Sequence, residues 1–328
     1  MDELNCAANS TFVKQGAIRN IVGLRTAFPL NLLCDAGSAE VNAGMHILVT
    51  GAAGLLGRHV VEAYRAAGFA VTAMDIVGNE SNDIVGANLC DLPTATALIR
   101  DVDCVAHIAS IPRPVGYATD DVFRTNMALM FNVLTAMETA GIKKLLFASS
   151  FSIIGLPFAP APVQLDFLPI DQSHRAQPQD IYAVTKWLGE EMVEAWVRRT
   201  GGTAMSIRMP WIQTPESFFR DVGPRRQSSD APLDLWAYID ARDAAEAFVR
   251  AARAEATGHE RIFISADDTY SETPSHQLLE THYPDLELRE YLDDHGSLLS
   301  NALAKDLLGF QPRYSWRSYP DPLVAHEI

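Results

Sequence analysis

Residues 46–57, His-Ile-Leu-Val-Thr-Gly-Ala-Ala-Gly-Leu-Leu-Gly, constrain the fold more than any other stretch, because an apolar strand here turns straight into a helix through three spaced glycines. Ile47-Leu48-Val49 is short and partly β-branched, as a central parallel strand is, and residues 59–64 are helix-compatible. Gly51 suits a tight turn, Gly54 lets a pyrophosphate approach the backbone, and Gly57 lets the helix pack closely on the sheet. The free N–H groups of the new helix then point at the anion.

As a bare pattern, G-x-x-G-x-x-G is also an ordinary strand-to-helix turn. The next strand argues for a dinucleotide. It covers residues 70–74 and ends at Asp75, 18 residues after Gly57, where a carboxylate accepts both ribose hydroxyls of an adenosine. Asp75 points to NAD: it would repel a 2′-phosphate, and residues 76–80 supply no Lys or Arg to hold one. Arg58 is the one nearby cation that argues for NADP, and it is weighed against its reading as a solvated base near the phosphates.

Beyond this point strand and helix alternate, which implies parallel strands with right-handed crossovers in a doubly wound, Rossmann-like α/β sheet. Ligands of such sheets bind beyond the carboxyl ends of the strands, where Asp75, Asp91, Ser110 and Ser150 are all expected. Asp91, at the end of a third strand, either accepts from an adenine amino group or caps the helix that starts near Leu92-Pro93, and one residue serves both. The strand over residues 103–110 ends in small residues where a nicotinamide ring fits against backbone, and His107 within it reads as a packed core histidine rather than a general base. A helix over 120–139 carries Asn126, and a strand over 143–150 ends in Ser149 and Ser150. The helix at about 178–198 carries Tyr182 and Lys186 at i and i+4, on one face. An ammonium beside the phenol is expected to lower its pKa from about 10, so that Tyr182 exchanges a proton with a substrate hydroxyl near neutrality.

With these motifs in this order, the chain from Met45 to Trp316 resembles the extended short-chain dehydrogenase/reductase family, which includes NAD-dependent sugar epimerases and dehydratases. The resemblance rests on Thr50-Gly-Ala-Ala-Gly-Leu-Leu-Gly57, Asp75, Asp91-Leu92, His107-Ile-Ala109, Asn126, Ser149-Ser150, Tyr182-x-x-x-Lys186, Arg208-Met-Pro210 and the run from Tyr238 to Asp243. It implies Tyr182 as acid/base, Lys186 on the nicotinamide ribose, and Ser150 on the substrate oxygen with Ser149 as the other choice; Asn126 joins them as a catalytic candidate. It implies cofactor contacts at Gly51, Gly54, Leu55, Leu56, Gly57, Asp75, Ile76, Asp91, Leu92, Ala109, Ser110, Asn126, Tyr182, Lys186, Pro210 and Ile212. Substrate contacts are expected from Ser110, Arg113, Phe151, Ser152, Trp211 and Arg220. Trp211 is read either as a pocket wall or as a buried tryptophan, and Arg220 either as a ligand for carboxylate or phosphate or as a solvated charge.

This layout puts an NAD-binding domain at 45–212 and a small C-terminal α+β substrate region at 213–328, from which 236–265 return to the core. Residues 1–44 stand outside the pattern: a disordered extension, a start placed ahead of a working Met45, an arm on the body, or, on the strength of Lys14, Arg19 and Arg25, an organelle-targeting peptide. The net charge of −15 speaks against nucleic acid or an anionic membrane as partner, and no apolar run is long enough to span a bilayer. Four cysteines without C-x-x-C spacing, and histidines without H-E-x-x-H, predict reduced thiols, a cytoplasmic location and no metal site.

Three functions remain in view. One is an NAD-dependent oxidoreductase acting on a sugar-like hydroxyl, and another a nucleotide-sugar epimerase that retains its cofactor. The third is a cofactor-sensing protein without catalysis, against which the presence of Ser150, Tyr182 and Lys186 counts. Phe151-Ser152 stands where family dehydratases and decarboxylases place acidic residues, which disfavours both. Thr214-Pro215-Glu216 departs from the family's usual Tyr-Gly-Pro, and a resemblance to uronate dehydrogenases there suggests a small sugar or sugar acid. Family analogy implies a homodimer.

Overall fold

In the computed structural model, which describes residues 44–228 and 233–320, alternate residues of the first strand serve two different cores. Ile47 and Val49 of β1 (His46–Thr50) face one apolar cluster and Leu48 faces the other, as the period of two along a strand requires. All three are fully buried, each worth about 1.5–3 kcal/mol of apolar burial. The readings of residues 1–43 lie outside the described residues.

Around β1 a seven-stranded sheet forms from β2 (Ala70–Asp75), β3 (Ile84–Gly86), β4 (Cys104–His107), β5 (Lys144–Ala148), β7 (Thr203–Arg208) and β10 (His259–Phe263). Its order is β10-β7-β5-β4-β1-β2-β3, and every pairing is parallel. Because β4 lies on the opposite side of β1 from β2, the strand order reverses beside β1 and opens a crevice above its carboxyl end. Helices α1 (Leu55–Ala66) and α5 (Ala241–Arg253) cover one face; α2 (Leu92–Ile99), α3 (Thr119–Ala140) and α4 (Ile181–Thr200) cover the other.

Two short parallel pairs lie outside this sheet. Strand β8 (Trp211–Gln213) pairs with β9 (Tyr238–Asp240), and β6 (Phe167–Leu168) pairs with β11 (Glu287–Leu288). With α6 (Ser275–His282), α7 (Ala302–Leu308) and the segment through Trp316 and Tyr319, they complete the C-terminal part. A third cluster fills it, joining Phe151 and Ile153 to Phe218, Trp236, Tyr238, Tyr270 and Trp316.

Three expected strand ends move. The third strand stops at Gly86, so Asp91 does not end a strand; it caps α2 by accepting from the Thr94 amide at 3.0 Å. Likewise β4 and β5 stop at His107 and Ala148, leaving Ala109, Ser110, Ser149 and Ser150 in the turns beyond. Those turns are free of the ladder, so side chains of other elements rather than strand partners bind them: Thr50 accepts from the Ala109 amide, Lys186 donates to Ser110, and Ser149 donates to Glu190.

Candidate active site

The turn after β1 is built by contact that only glycine permits. Gly51 has φ of 72°, and a Cβ there would lie 2.8 Å from the Ala109 backbone. A Cβ on Gly57 would fall 2.0 Å from the Gly51 carbonyl oxygen, so α1 seats directly on the loop. At Gly54 the same construction meets nothing nearer than 3.3 Å, which leaves its outer side open. Helices α2, α4 and α5 are each capped by an aspartate side chain, whereas α1 starts on Gly54 with no side-chain cap and no acid in its first turn. That cradle suits the pyrophosphate of a dinucleotide.

Thr50 locks the cradle to its neighbour strand. Its Oγ1 accepts from the Ile108 and Ala109 amides, both at 3.1 Å, which leaves the hydroxyl proton to donate to His107 Nδ1 at 2.9 Å. His107 is 2% exposed, and burial, with Lys186 adding to it, pushes its pKa down to about 3. It is a neutral packed ring. At the end of β2, Asp75 accepts from the amides of Ala53 at 2.9 Å and Ile76 at 2.7 Å, which aims the carboxylate across the mouth of the glycine turn. Ile76 beside it is 70% exposed, an apolar surface available to an adenine ring. Leu55 and Leu56 form the first turn of α1, Leu92 begins α2, and Pro210 and Ile212 lie buried and half-buried after β7.

The side chains expected to react come together above β4 and β5. Tyr182 and Lys186 rise from the first turns of α4, and both are buried. Tyr182 and Ser150 interact through their side chains, while Lys186 Nζ donates to the Ala148 carbonyl at 2.7 Å and to Ser110 Oγ at 3.3 Å. This corrects the expected electrostatics. The Tyr182 phenol is not lowered by its lysine neighbour: burial pushes it up to about 12, opposed by the Ser150 hydroxyl and aided by the Asp180 carboxylate. Burial likewise pushes the Lys186 ammonium down to about 7, with Glu190 opposing. Desolvation penalises the charged form of each group, and the ammonium, 5.6 Å from the centre of the Tyr182 ring, donates to Ala148 and Ser110 rather than to the phenol oxygen.

Ser149 and Ser150 have separate tasks. Ser149 Oγ donates to buried Glu190, which also takes a fork from Arg208 at 3.0 and 2.7 Å and pairs with Arg261 at 3.2 Å. Ser149 therefore drops out as a substrate hydroxyl. Ser150 Oγ accepts from the Ser152 amide and hydroxyl, so its own proton is left for Tyr182 or a substrate oxygen. Glu190 lies four residues beyond Lys186, on the same face of α4; that spacing is visible in the sequence, but its partners on other strands are not.

Other expected contacts are reassigned by burial or pairing. Asn126 makes three of its four possible side-chain hydrogen bonds within the chain, accepting from the Ile111 amide at 2.7 Å and donating to the Ile111 carbonyl at 3.1 Å and Thr185 Oγ1 at 3.0 Å. It ties the turn after β4 to α4. Phe151 and Ser152, expected on the substrate, are 3% and 0% exposed, and Phe151 packs into the C-terminal core. Arg220 is bound through Nε and Nη2 to Asp221, each at 2.7 Å, so one of its two bidentate faces is taken. Arg113 is exposed without an ion pair among the described residues, and Trp211 is 38% exposed, a surface rather than a core tryptophan. Among those residues no helix is long and apolar enough to cross a membrane, and no group of three or more potential ligands could hold a metal ion.

Comparison with known proteins gives one family and several relatives. A family model described as the NAD dependent epimerase/dehydratase family matches residues 47–265. L-arabinose 1-dehydrogenase (NAD(P)(+)) of Haloferax volcanii is 31% identical over 175 residues, 52% of this chain and 68% of that protein. A putative UDP-glucose 4-epimerase of Methanocaldococcus jannaschii is 30% identical over 171 residues, 47% of this chain and 52% of its own length. Uronate dehydrogenase of Pseudomonas syringae pv. tomato is 29% identical over 172 residues, 50% and 58%. The match thus spans little more than half the length of the last two. A crystal structure of UDP-galactose 4-epimerase shares the fold, with a TM-score of 0.63 at 20% identity over 87% of this chain and all of that one.

Proposed function

Since the chain belongs to the NAD-dependent epimerase/dehydratase family, we propose that it is an oxidoreductase that transfers hydride between a hydroxyl-bearing carbon of a free sugar or sugar acid and NAD. The observation that carries this reading is the burial of Tyr182, Ser150 and Lys186 side by side, at the rim of an uncapped glycine cradle. Bound in that cradle, NAD supplies the hydride acceptor. Asp75 would hold the adenosine ribose, Gly54 and the start of α1 the pyrophosphate, and Lys186 the second ribose. Ser150 orients the substrate oxygen, and Tyr182 moves its proton.

A phenol held near 12 rests protonated, ready to donate to a carbonyl oxygen in reduction. Oxidation needs the phenolate, so its rate is expected to rise with pH through neutrality. The relatives named an arabinose dehydrogenase and a uronate dehydrogenase support small carbohydrate substrates. We assign the cofactor to residues 45–212 and the substrate to 213–328, with 236–265 rejoining the core. We also assign a homodimer. It is supported by Phe123 and Phe131, both exposed on α3, and by exposed Trp187 on α4.

The test follows NADH absorbance while the full chain with NAD is offered aldoses, uronic acids and UDP-sugars. Steady NADH release from a free sugar or sugar acid, abolished by Tyr182→Phe, is the expected result. Conversion of a UDP-sugar to its epimer without NADH release would replace this reading by the epimerase one.

A further inference from the structure

Lys186 is a buried cation that pairs with no carboxylate among the described residues. It is 4% exposed, and its Nζ lies 5.0 Å from the centre of the Phe147 ring and 5.6 Å from that of Tyr182. The nearest acid along its own helix, Glu190, is engaged by Ser149, Arg208 and Arg261. An ammonium has three N–H donors, and two of them are placed, one on the Ala148 carbonyl at 2.7 Å and one on Ser110 Oγ at 3.3 Å. One N–H is left for a ligand.

Of the two acceptors only Ser110 is a side chain, and the turn that carries it is clamped on both sides. Before it, Thr50 Oγ1 accepts from the Ile108 and Ala109 amides, each at 3.1 Å. After it, Asn126 accepts from the Ile111 amide at 2.7 Å and also donates to Thr185 Oγ1 at 3.0 Å. Ile111 follows Ser110 and Thr185 precedes Lys186, so a single asparagine ties the neighbours of both residues together. Ser110 is half-buried, and its own proton has no acceptor among the described residues. The titratable groups around the ammonium are His107 on β4, kept neutral by burial, and Tyr182 and Glu190 on α4. Burial already brings Lys186 down to about 7, so near neutrality one hydrogen bond more or less decides its charge.

We infer that Ser110 is a positioning residue for Lys186: by accepting from Nζ it keeps the ammonium charged and turned so that its remaining N–H faces the cofactor ribose. The inference deepens the function proposed above and rests on it for the identity of that ribose. Removing the hydroxyl withdraws an acceptor chiefly from the charged form, because a charged donor makes the stronger hydrogen bond. The lysine then loses its proton more readily and is free to turn.

Isotope labelling of the lysine Cε carbons, with an NMR titration of the full chain between about pH 5 and 9, reads the charge of Lys186 without turnover. Its signal is separated from those of Lys14, Lys143, Lys144 and Lys305 by its loss in Lys186→Met. Ser110→Ala should lower the Lys186 pKa by about one unit, tenfold in the ratio of charged to neutral lysine, and Ser110→Thr should restore it. If Ser110→Ala fails to fold, Ser110→Cys, with a weak acceptor, takes its place. A fall of less than about half a unit, or an equal fall in Ser110→Thr, overturns the inference. NAD titration tests the orientation: Ser110→Ala should weaken binding about threefold in wild type and cost nothing further in a Lys186→Met background. An equal loss in both backgrounds would mean that Ser110 serves NAD directly, and it overturns the positioning role. A lowered pKa in a chain that turns over no sugar would leave the inference standing and sink the oxidoreductase reading; sugar turnover with the pKa unmoved would do the reverse.

Discussion

Ser150 Oγ accepts two hydrogen bonds from Ser152, one from its amide at 3.1 Å and one from its hydroxyl at 2.9 Å. Both lone pairs of Ser150 are thereby occupied, and the hydroxyl can act outward only as a donor. Ser152→Ala removes one of the two and lets the Ser150 proton rotate away. A single hydrogen bond of this kind is worth about 1 kcal/mol, so kcat should fall roughly fivefold with KM little changed. Steady-state kinetics checks it; an equal rise in KM at constant kcat would mean that Ser152 serves binding instead.

Glu190 and Arg208 form a buried pair beneath the same strand ends, with side chains 1% and 6% exposed. Glu190→Ala leaves Arg208 buried without its partner and should cost about 3–5 kcal/mol of stability. Urea unfolding of the variant measures this, and a change below about 1 kcal/mol would show that water or a neighbour compensates the arginine.

The glycines of the turn should separate by their contacts. Gly57→Ala drives a methyl into the Gly51 carbonyl and should lower stability by about 1–3 kcal/mol as well as weakening NAD binding. Gly54→Ala meets only a 3.3 Å neighbour, so its melting temperature should stay near wild type while the added methyl obstructs the phosphates and NAD affinity falls about tenfold or more. Thermal melts and NAD titration together distinguish the two; equal NAD binding by Gly54→Ala and wild type would move the pyrophosphate elsewhere.

His107 sets an acid limit. Its folded pKa of about 3 lies below the ordinary 6.5, so between these values the unfolded chain takes up a proton that the folded chain refuses. Stability is therefore lost as pH falls from 6.5 toward 3, by up to about 1.4 kcal/mol per pH unit. His259, pushed down to about 4 by burial, adds to the same limb. Unfolding free energies of wild type and His107→Asn between about pH 4 and 6.5 should diverge in slope, the variant being flatter.

The glycine turn, the acid at the end of β2 and the Tyr182–Lys186 pair are legible in the sequence because their geometry is local. A strand-to-helix junction and an i, i+4 spacing place those residues whatever the rest of the chain does. The alternation of strand and helix likewise identifies the doubly wound sheet, since parallel strands need crossovers.

What only the tertiary structure decided concerns neighbours brought in from distant segments. Ser149 and Ser150 are adjacent and chemically identical, and Glu190 on α4 claims the first while Ser152 braces the second. Arg220 and Arg225 lie in one loop, yet Asp221 occupies one and Asp234, Trp211 and Tyr270 position the other. The proton affinity of Tyr182 runs opposite to what its lysine neighbour alone implies, and that of Lys186 shifts with no local signal, because desolvation sums over every group packed around a side chain. A local pattern states which residues stand together on one element; whether water or protein surrounds them is settled only when all the elements have closed.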